Sequence, residues 1–325
     1  MAELECTTAD YMSNMSRSGS QIPAMSMPKT RIESFPELVT VCSDADRLLD
    51  FLMENGLVRR NLRCRRGSCR KKMSIIRQSK ILDRYRFRCR KCRISKSIRN
   101  GSFFEHSRLT VARMLFITFC WAAKIPVKSA SVMSNVNEQS VSHWYRLLRE
   151  KCGSTLLQCG DCPFGGPDTV VQIDEKVVAK KRKHAGEPPR DDQWMFGLYD
   201  TSMKRGHLQL ISDRTEDTLI PIIQKYVKPG STVFSDPFPA YRHLQDCGYR
   251  HFVVNHSGFI DSTTGTYDNT IDKYWLRAQR NIRYLWLSRR DQLPLRINEF
   301  LWRDTLPSQS YVDVFHEMLR LLAIN

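Results

Sequence analysis

The stretch "DTVVQIDE" (Asp168–Glu175) decides how the second half of the chain folds. Its apolar run predicts a buried β-strand that ends in two acids. Further strands are predicted at "QWMFGLYD", "GHLQLISD", "STVFSD" and "RHFVVNH", and helices at "TEDTLIPIIQKYV" and "NTIDKYWLRAQRNIRYLW". Strands and helices in this order predict an α/β domain with a mixed sheet, which we place at residues 168–325 together with C-terminal helices.

Three acids fall at matching places in this pattern. Asp174 ends the first strand, Asp236 ends the strand in "STVFSD", and Asp272 lies in the first turn of the last helix. Acids at the ends of adjacent strands can converge on divalent cations, and Mg²⁺ prefers carboxylate oxygens. Because a pair of such ions about 3.5–4 Å apart supports phosphodiester chemistry, we predict a catalytic site at these three acids.

Other interpretations of the acids stay open at this point. An acid in a first helical turn is also favoured simply because it faces unpaired backbone N–H groups and the positive end of the helix dipole. Spacing alone does not exclude further acids near the strand ends, namely Glu175, Asp200, Asp213 and Asp217.

The charge of the chain indicates a polyanionic partner. It has 51 Lys and Arg against 34 Asp and Glu, a formal net charge of +17, and such an excess usually means nucleic acid. The segment Arg59–Arg99 holds 18 of the basic residues and a single acid, Asp83. In it we predict phosphate contacts by Arg59, Arg60, Arg63, Arg65, Arg66, Lys71, Lys72, Arg88, Arg90 and Lys91.

The same segment contains two cysteine pairs. "CRRGSC" holds Cys64 and Cys69, and "CRKC" holds Cys89 and Cys92. Two close pairs let two turns grip one tetrahedral ion, and four thiolates suit a structural Zn²⁺ site. Because the segment has few apolar residues, metal binding would supply much of its folding free energy. The alternative, four buried free thiols, would need a core that this segment lacks.

The remaining organisation is predicted as follows. Residues 1–36 are predicted to be a disordered tail. Residues 37–100 are predicted to hold a helix (Ser43–Val58, capped by Ser43) followed by the basic zinc-binding module. Residues 101–155 are predicted to form a helical DNA-binding region. A polar break at Asn135–Asn137 matches helix-turn-helix dimensions, although most helix pairs merely pack a core. Residues 156–167 are assigned to a linker, in which "CGDC" (Cys159, Cys162) lacks a second cysteine pair.

Composition also bears on location. No apolar run is long enough to span a bilayer, and the N-terminus lacks the apolar core of a secretory signal, so we expect an intracellular protein with reduced thiols and no membrane partner. The run "KKRK" lies between the first two strands, and its Lys181, Arg182 and Lys183 are candidate phosphate contacts or a nuclear localisation signal. A solvated hairpin tip is the alternative.

Taken together, the motifs resemble a known family. "VVQIDE", "WMFGLYD", "STVFSDPFPAYRHL", "NHSGFID" and "TGTYDNTIDKYW" resemble the catalytic domain of Merlin-type DDE transposases and their bacterial insertion-sequence relatives. The upstream "FRCRKCRISKSIRNGSFFEHSRLTVARML" and "SVSHWYRLLREKC" look like the zinc-binding and helical DNA-binding region of the eukaryotic members. The likeness runs from about residue 57 to residue 305.

This resemblance implies a ribonuclease-H-like fold with a carboxylate triad that binds two Mg²⁺ or Mn²⁺ ions. It implies cleavage of DNA at terminal inverted repeats, joining of the freed 3′-OH to target DNA, action as a homo-oligomer on paired ends, and a nuclear location. By motif position, Asp174 matches the first acid, Asp236 the second and Asp272 the third.

The chain departs from the family pattern at two positions. Asp272 stands where the family usually has Glu, and an aspartate carboxylate reaches about 1 Å less far, a displacement that can cost roughly 100-fold in rate. Gln279 stands where a Lys is frequent, with Arg280 beside it as an imperfect substitute for DNA contact. Three functions therefore stay open: an active transposase, a domesticated or decayed copy that only binds DNA, and a structure-specific nuclease that cuts without joining.

Overall fold

The computed structural model describes residues 31–158, 163–179, 192–254, 270–282 and 290–324. It divides into two compact units. The first joins the chain up to Val141 with the segment from Ser310 onward, and the second runs from Ser142 to Gln309. Within the described ranges, no helix is both long and apolar enough to cross a membrane.

The elements of the described ranges follow one another along the chain. The helices are α1 (Phe35–Ser43), α2 (Ala45–Glu54), α3 (Val111–Ala122), α4 (Val127–Ser134), α5 (Glu138–Gln158), α6 (Glu216–Tyr226), α7 (Thr270–Asn281), α8 (Leu293–Asp304) and α9 (Tyr311–Leu322). The strands are β1 (Ser74–Arg77), β2 (Tyr85–Arg88), β3 (Ser95–Ser97), β4 (Val170–Ala179), β5 (Gln193–Asp200), β6 (Arg205–Ile211), β7 (Thr232–Ser235) and β8 (Arg250–Val253).

The N-terminal segment forms two helices, and the first begins earlier than the single helix predicted at Ser43–Val58. Ile32 is fully buried and α1 begins at Phe35, so the segment predicted as a tail already contributes to the fold before residue 36. The N-cap of α2 is Asp44 and not Ser43, because the Asp44 side chain accepts hydrogen bonds from the N–H groups of Asp46 and Arg47, at 2.8 and 3.0 Å. This cap starts a separate helix where a single one was expected.

The C-terminal helix α9 belongs to the first unit. Its Phe315 packs against Phe119 of α3, with ring centroids 5.3 Å apart. Near it, the backbone N–H of Ile32 donates to His316 Nε2 at 3.2 Å. The sequence had grouped this helix with residues 168–325, since nothing local in its amphipathic pattern says which core it covers.

The basic cysteine segment forms a three-stranded antiparallel sheet in the order β1-β2-β3. Sequence analysis predicted no strands here, because the apolar alternation is short and interrupted by charges. Tyr85 and Phe87 of β2 are buried and supply its small core, whereas Arg86 and Arg88 between them are more exposed.

A buried ion pair ties this sheet to the first turn of α3. Arg99 Nη2 donates to Asp83 Oδ1 at 2.8 Å, and the Arg99 side chain is 4% exposed. Asp83 Oδ1 also accepts from the backbone N–H of Val111 at 3.0 Å. The same guanidinium donates to the carbonyl oxygens of Ser107 and Leu109, at 3.0 and 2.6 Å. Asp83, the only acid of the basic segment, is therefore a structural residue.

The second unit is built on a five-stranded sheet in the order β6-β5-β4-β7-β8. β5 is antiparallel to both β4 and β6, whereas β7 is parallel to β4 and β8 parallel to β7. Alternate side chains enter two apolar clusters: Val171 and Ile173 meet α6, and Met195 and Tyr199 meet α7 and α8. This confirms the predicted α/β class with a mixed sheet.

Helix α5 runs to Gln158 and so enters residues 156–167, which the sequence analysis assigned to a linker. Gly153 lies inside this helix. Cys152 is fully buried, and Arg149 Nε donates to Glu299 Oε2 of α8 at 2.7 Å. Because this packing fixes both sides of Gly153, it outweighs the low helix propensity of glycine.

The Arg99–Asp83 pair generates a stability prediction. We expect Arg99→Met to lower the free energy of unfolding of the first unit by about 3–5 kcal/mol, because it leaves Asp83 buried without its partner. The matched control is Arg77→Met, which removes an exposed pair with Asp46 (3.2 Å) and is expected to cost under about 1 kcal/mol. Urea unfolding followed by circular dichroism measures both; equal losses would contradict the structural role of Arg99.

Candidate functional site

The four predicted zinc ligands lie together. The sulfur atoms of Cys64, Cys69, Cys89 and Cys92 are all within 4.8 Å of one another, and three of the side chains are buried. The Cys69 and Cys89 sulfurs are 4.0 Å apart. A tetrahedral zinc site with Zn–S bonds near 2.3 Å has sulfurs about 3.8 Å apart, so the cluster could hold one Zn²⁺ with little movement.

Each cysteine pair sits on a tight turn. In the first, the N–H of Cys64 donates to Lys71 O at 2.9 Å, and the N–H of Cys69 donates to Arg66 O at 3.0 Å. In the second, the N–H of Cys89 donates to Ile94 O at 3.0 Å. These bonds hold the sulfurs of each turn on the same side, as a shared ion requires.

Backbone hydrogen bonding also prepares one thiol for metal binding. The N–H of Cys92 donates to Cys89 Sγ at 3.4 Å and is the main reason why the pKa of the Cys89 thiol is lowered to about 7. Since the thiolate is the ligand form, this shift favours metal binding at Cys89, whereas the contact with Cys69 raises the pKa of the Cys92 thiol to about 12.

The ten predicted phosphate contacts of the basic segment all have exposed side chains; they are Arg59, Arg60, Arg63, Arg65, Arg66, Lys71, Lys72, Arg88, Arg90 and Lys91. Arg280 is also exposed, in the last turn of α7. The structure thus leaves these cations available to a polyanion, while their contact with DNA stays a prediction. Lys181, Arg182, Lys183, Cys159 and Cys162 lie outside the described residues.

The sheet register brings the first two predicted acids side by side. β4 and β7 run parallel, and Val170 pairs with Thr232, Val171 with Val233, and Gln172 with Phe234. Asp236 directly follows the end of β7, and the same offset continued by two residues would set it opposite Asp174, at the spacing of neighbouring strands, about 4.8 Å. The 62-residue spacing between these acids is therefore the register offset of the two strands.

Gln172 places the third acid. The Gln172 side chain is buried, and its Oε1 accepts from the N–H of Ile271 and from Thr270 Oγ1, both at 2.8 Å. It therefore serves as the cap of α7, a role that helix N-termini usually fill with their own preceding residue. Asp272 is the residue after Ile271, so the bond to Gln172 of β4 fixes the position of the Asp272 backbone.

A glycine sets the distance between α7 and the sheet. Gly197 of β5 pairs with Asp174 across the ladder. A Cβ added at Gly197 would lie 2.7 Å from Cζ2 of Trp275, so any larger residue would push α7 outward. Trp275 can approach the sheet this closely because the position opposite Asp174 is glycine.

A lysine that sequence analysis did not single out joins two of the acids. Lys176 Nζ lies 2.6 Å from Asp272 Oδ1 and 3.4 Å from Asp174 Oδ2, and 5.4 Å from the centroid of the Trp275 ring. The sequence could have indicated Lys176 through strand alternation, because residues 172, 174 and 176 lie on the same face of β4. Across the described part of the chain, only the cysteine cluster brings three or more potential metal ligands within 4.8 Å of one another.

The electrostatics of Asp174 reflect this crowding. Burial raises the pKa of its carboxyl group; the charges of Asp236 and Asp272 raise it as well, whereas Lys176 lowers it. Two further carboxylates thus act on the Asp174 side chain, which is 15% exposed. Such a group of oxygens favours a bound cation.

The adjacent Glu175 faces the other side of the sheet. Arg214 Nη2 donates to Glu175 Oε2 at 2.9 Å, and the guanidinium lies over the rings of Trp194 and Phe238, at 4.4 and 4.1 Å from their centroids. Burial raises the pKa of Glu175 to about 7. Because Phe238 is two residues beyond Asp236, this stack supports the loop that carries the second acid.

The other candidate acids have local structural roles. Asp200 is fully buried and accepts hydrogen bonds from the N–H groups of Gly165, Ser202 and Met203. Asp213 Oδ1 accepts from the N–H of Thr215 and from the hydroxyls at both Thr215 and Thr218, and these bonds lower its pKa. Asp217 is exposed in the first turn of α6.

Comparison with known proteins gives the class of the molecule. The family model described as "ISXO2-like transposase domain" matches residues 157–305, a range that includes all three acids. A protein of Haemophilus influenzae described as "Uncharacterized transposase-like protein" is 34% identical over 86 residues, which cover 26% of this chain and 69% of that protein. The chain therefore belongs to the ISXO2-like transposase family.

Solved structures of Mos1 transposase are also similar, at a low level. The paired-end complex with the left transposon end is 15% identical, with a TM-score of 0.20 over 55% of this chain and 74% of that one. The pre-cleavage Mos1 transpososome is 15% identical, with a TM-score of 0.19 over 56% and 75%. Scores at this level support no conclusion about fold or function.

The cysteine geometry predicts one Zn²⁺ per chain. We expect native mass spectrometry of the freshly purified protein to show one zinc ion, and Cys64→Ser to lose it together with much of the stability of the first unit. The control is Cys42→Ser, a half-buried thiol of α1 outside the cluster, which should retain the ion. Purified protein without bound metal would refute the zinc assignment.

The cap provided by Gln172 predicts the stability of α7. Gln172→Met should lower the free energy of unfolding by about 1–3 kcal/mol, because it leaves the buried N–H of Ile271 without an acceptor. Thr270→Val removes only the hydroxyl bond and keeps the bond to Ile271, so a smaller loss is expected. Hydrogen exchange of the first turn of α7 measures the effect locally; unchanged protection in Gln172→Met would show that the cap is not needed.

Proposed function

We propose that this chain is a DNA transposase that cuts at the terminal inverted repeats of its element and joins the freed 3′-OH to target DNA. Its membership of the ISXO2-like transposase family supports the class. The chemistry is supported by the parallel register of β4, which carries Asp174, and β7, which ends one residue before Asp236, together with the bonds by which Gln172 attaches the helix of Asp272.

The proposed fold of the catalytic unit is ribonuclease-H-like. The strand order β6-β5-β4-β7-β8 supports it, with three antiparallel strands followed by two parallel ones and α6 between β6 and β7. In this arrangement the first acid lies on the central strand and the second on its parallel neighbour. The Merlin-type resemblance of the motifs is part of the same proposal.

The residues present fit divalent cations. They offer carboxylate oxygens, and the mutual repulsion around Asp174 would be relieved by positive charge. Asp174 and Asp236 would hold a shared Mg²⁺ or Mn²⁺, and Asp272 would complete a second position. Bound metal would activate the attacking water or 3′-OH and stabilise the leaving oxygen. The first turn of α7 stabilises the Asp272 carboxylate through the positive end of the helix dipole.

The first unit is proposed to bind the DNA ends. Its exposed basic side chains would contact backbone phosphates, and zinc would hold the turns that present many of them. Arg280 would add a phosphate contact from α7. Action as a homo-oligomer on paired ends and a nuclear location belong to this proposal as well.

Catalysis by the three acids predicts the behaviour of conservative substitutions. Asp174→Asn and Asp236→Asn should each lower DNA cleavage with Mg²⁺ or Mn²⁺ on the order of 100-fold or more, because metal stabilisation is worth several kcal/mol and each 1.36 kcal/mol is tenfold. Asp272→Asn should also lose activity, while Asp272→Glu should retain it. The assay uses linear DNA that carries the element's own terminal repeats and scores cleavage and strand transfer separately.

The control is Asp217→Asn, which removes an exposed acid of α6 and should leave activity unchanged. Cleavage without joining would assign the chain to structure-specific nucleases. Binding of the repeats with no cleavage by any variant would assign it to non-catalytic DNA-binding proteins. If Asp272→Asn were as active as the parent chain, Asp272 would have no place in the site.

A further inference from the structure

Lys176 occupies the position between two acids of the proposed metal site. Its ammonium group lies 2.6 Å from Asp272 Oδ1 and 3.4 Å from Asp174 Oδ2. The first distance is that of a strong charge-assisted hydrogen bond. Lys176 of β4 thus links Asp174 on the same strand to Asp272 on α7.

The surroundings hold this lysine at the acids while leaving it a way out. Its ammonium lies over the Trp275 ring, 5.4 Å from the centroid, which adds a cation–π attraction. The Lys176 side chain is nevertheless 33% exposed, and Asp272 is 50% exposed. Because the lysine side chain has four rotatable bonds, the ammonium can move away from the acids without any movement of β4.

A metal ion at these acids would need the same oxygens. An ammonium group is a compact cation, and like a divalent ion it neutralises crowded carboxylates. Both cannot contact Asp272 Oδ1 and Asp174 Oδ2 from the same position, because two cations that close would repel each other. Metal binding and the Lys176 ion pairs are therefore mutually exclusive.

We propose that Lys176 is a tethered cation that holds Asp174 and Asp272 together in the metal-free chain and is displaced when a divalent ion binds. This rests on the proposed function, since it takes both acids as metal ligands. Lys176 weakens metal binding by competition and at the same time keeps the two carboxylates near each other. The site is thereby protected from opening through carboxylate repulsion until metal arrives.

The proposal is tested by Mn²⁺ binding to the full, zinc-loaded chain, measured by calorimetry and by electron paramagnetic resonance of free Mn²⁺. Lys176→Met should bind Mn²⁺ about tenfold more tightly than the parent chain, within the usual range of coupling between two binding events. Without Mn²⁺, the same variant should melt at a lower temperature than the parent, and added Mn²⁺ should raise its melting temperature by more.

Two matched variants complete the design. Lys176→Arg keeps the cation and should bind Mn²⁺ like the parent chain. Lys273→Met removes an exposed lysine next to Asp272 on the same helix and controls for the change in net charge. An affinity in Lys176→Met no higher than in the parent or in Lys273→Met would overturn the role of Lys176.

Failure of the proposed function gives a different result. In that case the parent chain would bind no Mn²⁺, or Asp174→Asn would bind it as tightly as the parent, and the metal site itself would be rejected together with this proposal. Tight binding that Asp174→Asn abolishes, with no gain in Lys176→Met, would reject only the tethered cation.

Discussion

The hydrogen bonds that Gln172 Oε1 accepts from the start of α7 are the contact on which the candidate site depends. They join the central strand to the helix that carries Asp272, although the two are about 100 residues apart in the chain. The contact is buried, so its loss leaves an N–H group without water or partner. A second contact between the sheet and α7 lies at Trp275, which packs where Gly197 has no side chain. Strand and helix are thus fixed by one polar and one steric constraint.

The first unit relies on a different kind of constraint. Its sheet has little apolar surface to bury, and its two stabilising features are polar: the cysteine cluster at one place and the Arg99–Asp83 pair at another. Buried polar groups of this kind specify a geometry, since each donor and acceptor must find its partner. Around them, most of the other basic side chains of the segment are exposed, and some, such as Arg63 and Arg66, also donate to backbone carbonyls. A segment can therefore be strongly basic and still have a defined shape.

Local sequence features predicted much of this molecule. The apolar runs gave the strands of the second unit, and the cysteine spacing predicted which four sulfurs meet. Acids after strands predicted the neighbourhood of Asp174 and Asp236, because parallel strands with a fixed register must bring those positions together. The strands β1 to β3 were missed, since their pairing depends on the turns that the cysteines close. The linker predicted from residue 156 began too early, because α5 continues to Gln158. Lys176 and Gln172 were not recognised, since their importance comes from partners on α7.

The acids of the candidate site differ in how firmly the structure holds them in position. Asp174 belongs to a hydrogen-bonded ladder, in which a slip of one residue would turn its side chain to the opposite face, and Asp236 directly follows the last residue of the parallel strand β7. Asp272 lies on α7, which among the described residues meets the sheet through side chains such as Gln172 and Trp275, so a shift of α7 would strain these contacts but break no hydrogen bond between strands. The site therefore has an invariable part and an adjustable part. Adjustment of α7 is the route by which a short acid can stand where a longer one is usual, and substitutions at the helix–sheet contact would tune the reach of Asp272 with no change to the acids.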